Sequence, residues 1–79
     1  MDVGSIFANS VRAERSRRGW RQQDLADRCG WSIDTISAIE RGARRVDLLD
    51  LVRLCRAFDL PLVKMLDGAA PEDLRAIGL

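Results

Sequence analysis

The sequence predicts an all-α fold, a single small domain of five helices with a candidate short sixth helix in the tail at 68–79. Apolar residues recur at helical spacing along most of the chain, and glycines or capping residues separate these segments. No stretch alternates with period two for long enough to indicate a strand. The length of 79 residues suits one domain, so we assign residues 1–79 to it.

The first two helices are predicted from their apolar faces and from the glycines that follow them. Phe7 and Val11 lie on one face of a helix over about 5–18. A second, shorter helix is expected over about 22–29, because Gly30 can adopt the left-handed conformation that ends a helix.

A helix-turn-helix is expected over about 22–41. Ser32 is a suitable N-cap for a third helix over about 33–41. The connection Gly30-Trp31-Ser32 is short and begins with glycine, which lets two helices cross steeply. Ala26 is small at the point where the two helices would approach each other.

The remaining helices follow from capping residues and prolines. Asp47 is expected to cap a leucine-rich fourth helix over about 48–58. Pro61 is expected at the first position of a fifth helix over about 61–67, and Pro71 opens the candidate sixth helix.

The composition excludes several classes of function. There is no histidine, and Cys29 and Cys55 are the only cysteines, which argues against a metal site, and we expect no cofactor. Neither cysteine has an activating partner nearby and no glycine-rich phosphate loop is present, so we expect no enzyme. No secretory signal or membrane-spanning apolar run is visible, which favours a cytoplasmic protein that does not enter membranes.

Charge is distributed unevenly although the net charge is only +1. Residues 1–45 have nine arginines and six acidic residues, whereas residues 46–79 have four basic and six acidic residues. The basic half is suited to face phosphate. A solvated surface with chance asymmetry explains the same pattern, so charge alone does not decide.

The segments QQDLADRCGWS, beginning at Gln22, and ISAIERG, ending at Gly42, resemble the Xre-type helix-turn-helix family. This family includes lambdoid phage repressors and Cro proteins, restriction-modification controller proteins and antitoxins. The resemblance extends from about Phe7 through Leu66. It implies a five-helix, lambda-repressor-like domain whose third helix lies in the major groove of duplex DNA while the second crosses the backbone.

The outward face of the third helix supplies the expected contacts to base edges, namely Ser32, Ile33, Asp34, Ser37, Ala38 and Arg41. Arg41 can bond guanine or phosphate, and Ile33 and Ala38 can pack on thymine methyl groups. Asp34 can accept a hydrogen bond from cytosine but repels phosphate. The family often has polar residues at positions 33 and 38, so DNA shape is expected to contribute to specificity.

Phosphate contacts are expected from Arg21, Gln22, Gln23, Arg44 and Arg45. Gln22 matches the phosphate-binding glutamine of the family, although an exposed polar residue with no such role remains an alternative. Arg15 and Glu40 match a family ion pair that bridges the first and third helices and orients the latter.

A homodimer is expected because proteins of this kind bind paired half-sites. The candidate interface residues are apolar and lie in the C-terminal half: Leu49, Val63, Leu74, Ile77 and Leu79. The alternative is that the tail folds back onto its own core.

The leading hypothesis is therefore a sequence-specific transcriptional regulator, a repressor or controller that binds double-stranded DNA. The second hypothesis is a protein-interaction module, such as an antitoxin, whose partner is a toxin or a polymerase subunit. The apolar Ala38, the acidic Asp34 and the low net charge favour the second hypothesis slightly.

Overall fold

The computed structural model describes all 79 residues and contains six helices and no strand. The helices are α1 (Val3–Arg17), α2 (Gln22–Cys29), α3 (Ile33–Glu40), α4 (Leu48–Phe58), α5 (Leu62–Met65) and α6 (Pro71–Ala76). The predicted all-α class is confirmed, and α2 and α4 have the predicted bounds. None of these helices is both long and apolar enough to cross a membrane.

Side chains next to the helices determine where α3 and α4 begin. The Ser32 hydroxyl accepts a hydrogen bond from the Thr35 backbone N–H at 3.2 Å. The Asp47 carboxylate accepts one from the Asp50 N–H at 2.8 Å. At the end of α2, Gly30 has φ +70°, a left-handed conformation that strains any residue with a Cβ.

The fifth helix is shorter than predicted, and its proline lies elsewhere. Pro61 is the N-cap with an extended ψ of 155°, so it precedes the first helical position that the sequence suggested. The helix ends at Met65 because Leu66 leaves the helical region at φ −112°. Both Met65 and Leu66 are buried in the core, which turns the chain inward after a single turn.

The core is formed by apolar side chains from α1 to α5 and the residue that follows α5. Val11, Leu25, Ile36 and Leu54 are fully buried at its centre, one from each of the first four helices. Both cysteines are free thiols, and burial raises the pKa of each. The buried faces of α2 and α3 therefore pack on a scaffold made by α1 and α4, which fixes the helix-turn-helix as a unit.

The C-terminal tail partly returns to this core, which corrects one of the predicted interface residues. Leu74, in α6, is half-buried and packs against the core cluster. The Leu79 N–H donates to the Leu74 carbonyl at 2.8 Å and closes the tail on itself. Ile77 and Leu79 remain 53% and 44% exposed. Leu74 thus serves its own fold, because α6 begins at Pro71 and turns this side chain inward.

Candidate nucleic-acid interface

The two faces of α3 differ sharply in burial. Ile36 and Ile39 are fully buried, whereas Ser32, Ile33, Asp34 and Arg41 are exposed, and Ser37 and Ala38 are half-buried. The six predicted base-contact residues therefore lie on the side of the helix away from the core. Ile33 is 42% exposed, and burial within this domain does not account for an isoleucine there.

Two side chains on this face are connected to each other. The Arg41 Nε donates to the Ser37 Oγ at 3.4 Å, one helical turn earlier. This contact is long and exposed, so it biases the direction of the guanidinium without fixing it.

Behind α3, Arg15 and Glu40 form a bidentate ion pair between α1 and the last residue of α3. The Arg15 Nε to Glu40 Oε2 distance is 2.6 Å, and the Nη2 to Oε1 distance is 3.1 Å. The side chains are only 16% and 4% exposed. Arg15 also donates from Nη1 to the Trp20 carbonyl at 2.7 Å, which fixes the chain just before α2.

The side chain of Gln22 joins this ion pair. Its Nε2 donates to the Glu40 Oε1 at 3.2 Å, across 18 residues of sequence. The sequence analysis treated Gln22 and the ion pair as separate features. No sequence signal connects them, because their proximity depends on how α2 packs against α3.

The start of α2 is held by an acid in its first turn. Arg21 occupies the N-cap and supplies no acceptor of its own. The Asp24 carboxylate instead accepts the Arg21 backbone N–H at 2.8 Å, and its second oxygen lies 3.3 Å from the Arg21 guanidinium. Hydrogen bonding from Arg21 lowers the pKa of Asp24. Gln23 donates to the Asp27 Oδ1 at 2.8 Å, so it is held within its own helix.

The two arginines of the loop after α3 have different surroundings. The Arg44 Nη2 lies 3.3 Å from the Asp50 Oδ2, and the Asp50 side chain is only 8% exposed. The same Asp50 oxygen accepts the Asp47 N–H at 3.2 Å. Arg44 therefore ties the loop to the start of α4, whereas Arg45 is exposed and has no hydrogen-bond or ion-pair partner.

Two short helices crossing at a glycine-led turn, the second with its outer face exposed and its end anchored, define a helix-turn-helix protein. The comparison with protein families agrees: residues 6–66 match the helix-turn-helix domain family. The chain belongs to this family, whose related proteins are named as transcriptional regulators and controller proteins. It is therefore a DNA-binding protein of the transcriptional-regulator class.

Individual relatives support the same class. The chain is 33% identical over 66 residues to the control protein C.SmaI of Serratia marcescens, covering 84% of this chain and 79% of the relative. It is 28% identical to a hypothetical transcription factor of Neisseria meningitidis serogroup B over 82% of this chain, and this match spans 61% of the relative's length.

Solved structures share the fold. The hypothetical transcription factor from Neisseria superposes with a TM-score of 0.77 at 25% identity, covering 96% of this chain and 85% of that one. The restriction-modification controller protein C.AhdI from Aeromonas hydrophila gives a TM-score of 0.72 at 28% identity, covering 76% of this chain and 91% of its own.

Proposed function

We propose that this protein regulates transcription in the cytoplasm by binding a specific duplex DNA site as a homodimer, with α3 in the major groove. The observation on which the proposal depends is the asymmetry of α3. Its inner face is buried, its last residue is anchored by a buried ion pair, and its outer face is exposed. A helix held this way can be placed in a groove without losing its packing on the scaffold.

The proposed base contacts come from the exposed side of α3: Ser32, Ile33, Asp34, Ser37, Ala38 and Arg41. Arg41 is the one side chain among them that can donate two hydrogen bonds to guanine. Ile33 and Ala38 provide apolar contact with thymine methyl groups, and Asp34 accepts from cytosine. Because few donors are available on this face, sequence-dependent DNA shape is expected to add to the discrimination.

The proposed phosphate contacts are Arg21, Gln22 and Gln23 at the start of α2 and Arg45 in the loop after α3. Helix N-termini present free N–H groups to phosphate, which supports the first three. The unpaired state of Arg45 makes its guanidinium available. Arg44 must share its guanidinium with Asp50, so we assign it the weaker contact and the task of holding the loop.

The proposed dimer face lies on α4 and α5, at a distance from the outer face of α3. Four side chains there are exposed although they are apolar: Leu48 at 77%, Leu49 at 58%, Val52 at 44% and Val63 at 44%. Between α4 and α5 runs a groove of about 510 Å³ that Leu48 and Val52 line. Exposed apolar residues gathered in this way favour association. Ile77 and Leu79 are exposed candidates at the edge, whereas Leu74 is occupied by the core.

The test is a binding titration with labelled duplex DNA from immediately upstream of the gene, followed by fluorescence anisotropy at two salt concentrations. A scrambled duplex of equal length and composition is the control. We expect the upstream duplex to bind about 10³-fold more tightly at physiological salt. Equal, weak binding that disappears with added salt would leave only the nonspecific phosphate interaction and would contradict the proposal for this DNA.

A second candidate function is supported by the exposed Asp34 at the start of α3, because a carboxylate there repels DNA phosphate. In that case the domain is a protein-interaction module, such as an antitoxin, that binds a toxin or a polymerase subunit. The Asp34→Asn variant separates the two: it should strengthen nonspecific DNA binding under either function. Only a DNA-binding regulator should change its preferred base as a result.

A further inference from the structure

One carboxylate joins the first three helices. Oε2 of Glu40 accepts a hydrogen bond from the Arg15 Nε at 2.6 Å. Oε1 accepts from both the Arg15 Nη2 at 3.1 Å and the Gln22 Nε2 at 3.2 Å. The Glu40 side chain is only 4% exposed, so these bonds are largely shielded from water. The last residue of α3 is thereby bonded to the first residue of α2.

This contact determines how the Gln22 side-chain amide is oriented. An ionised carboxylate only accepts hydrogen bonds, so the amide must turn its NH2 group, and not its oxygen, toward Glu40. One N–H is then engaged and the second is left for another acceptor. The conformational freedom of the side chain is lost when the domain folds, and not when a ligand arrives, which favours binding.

We infer that Glu40 is a positioning residue for a phosphate contact made by Gln22. It holds the amide so that the second N–H is available to a phosphate oxygen, and it thereby makes a contact of α2 depend on the last residue of α3. The inference rests on the proposed DNA-binding function. It assigns Glu40 a role in binding as well as in the ion pair with Arg15.

Gln23 provides a matched control within the same helical turn. Its Nε2 donates to Asp27 at 2.8 Å, and this contact is exposed and internal to α2. Nothing in α3 holds the Gln23 side chain. A substitution at Glu40 should therefore change the behaviour of Gln22 and leave that of Gln23 unchanged.

The first experiment examines the free protein by NMR with ¹⁵N labelling, the side-chain amides being assigned from Gln22→Ala and Gln23→Ala. In the wild-type protein, the Gln22 NH2 protons should exchange with water more slowly than those of Gln23. In Glu40→Gln, one acceptor oxygen is lost and Arg15 competes for the other, so this protection should disappear. Equal exchange of the two amides in the wild-type protein would overturn the inference, and this comparison needs no variant at position 40.

The second experiment measures coupling in DNA binding with a short duplex of mixed sequence at low ionic strength. Gln22→Ala should weaken binding roughly 3- to 10-fold in the wild-type background, the range for one hydrogen bond. In the Glu40→Gln background the same change should cost less than about twofold. Gln23→Ala should cost the same factor in both backgrounds.

The outcomes separate this inference from the proposed function. Binding by the wild-type protein with an equal loss from Gln22→Ala in both backgrounds would overturn the positioning role and leave the function intact. Failure of the wild-type protein to bind any duplex would overturn both.

Discussion

The Arg15–Glu40 ion pair allows a sharp test of how this small domain is held together. Replacing Arg15 with alanine leaves the Glu40 carboxylate with a side chain only 4% exposed and without its cationic partner. Breaking a buried pair in this way costs about 3–5 kcal/mol of unfolding free energy. A domain of 79 residues has a total stability of about 4–12 kcal/mol, so the variant should be close to unfolding.

The assay is urea denaturation followed by far-ultraviolet circular dichroism, repeated at several protein concentrations because dimerisation adds to the apparent stability. Arg17→Ala is the matched control, since Arg17 pairs with Glu14 on the surface and its side chain is 69% exposed. That change should cost at most about 1 kcal/mol. Replacing both Arg15 and Glu40 with methionine should recover most of the loss, because no buried charge then remains.

Two results would refute this reasoning. One is a loss from Arg15→Ala no larger than the loss from Arg17→Ala, which would mean that water reaches the carboxylate. The other is a double methionine variant that loses the sum of the two single losses, which would mean that the charges themselves stabilise the fold.

Three further predictions concern other parts of the molecule. Arg45→Gln should reduce the slope of log affinity against log salt by about 0.9 per phosphate contact, whereas Arg44→Gln should mainly reduce thermal stability; equal slopes for both variants would contradict our assignment. Val52→Glu places a charge on the proposed dimer face, so sedimentation should shift toward monomer and DNA affinity should fall; unchanged sedimentation would place the interface elsewhere. Hydrogen bonding from Arg17 holds the pKa of Glu14 below its ordinary value of 4.5, so the folded state releases this proton more readily than the unfolded chain. This stabilisation is present above pH 4.5 and is lost as pH falls through the folded pKa, and Glu14→Gln should flatten the acid limb of stability against pH.

Local signals in the sequence were sufficient to predict most helix bounds. The bounds of α2 and α4 follow from Gly30 and Asp47, whose conformational and capping preferences act within a few residues. Pro61 was misplaced by one position, because proline is compatible with both the cap and the first helical residue. Position along the chain was thus enough wherever the determining interaction was local.

Side-chain partners across the fold were beyond such signals. The bond of Gln22 to Glu40 and the ion pair of Arg44 with Asp50 depend on distances that only tertiary packing sets. The exposed Leu48 also escaped the sequence analysis, since leucines on both faces of α4 leave the apolar pattern ambiguous. A helix with apolar residues on two faces indicates two packing surfaces, and the sequence does not say which one a partner occupies.

The position of the ion pair explains why a charged cluster is useful at a site where apolar residues would serve stability equally well. α3 has eight residues, so its N-terminal end lies about 12 Å from the anchor at Glu40. A tilt of about 10° around that anchor would move Ile33 by about 2 Å, which exceeds the distance range that a hydrogen bond tolerates. An apolar contact permits such tilting, whereas a bidentate pair has a fixed geometry. We therefore expect the double methionine variant to keep its fold and its salt-dependent affinity for DNA while losing discrimination between the upstream duplex and the scrambled control.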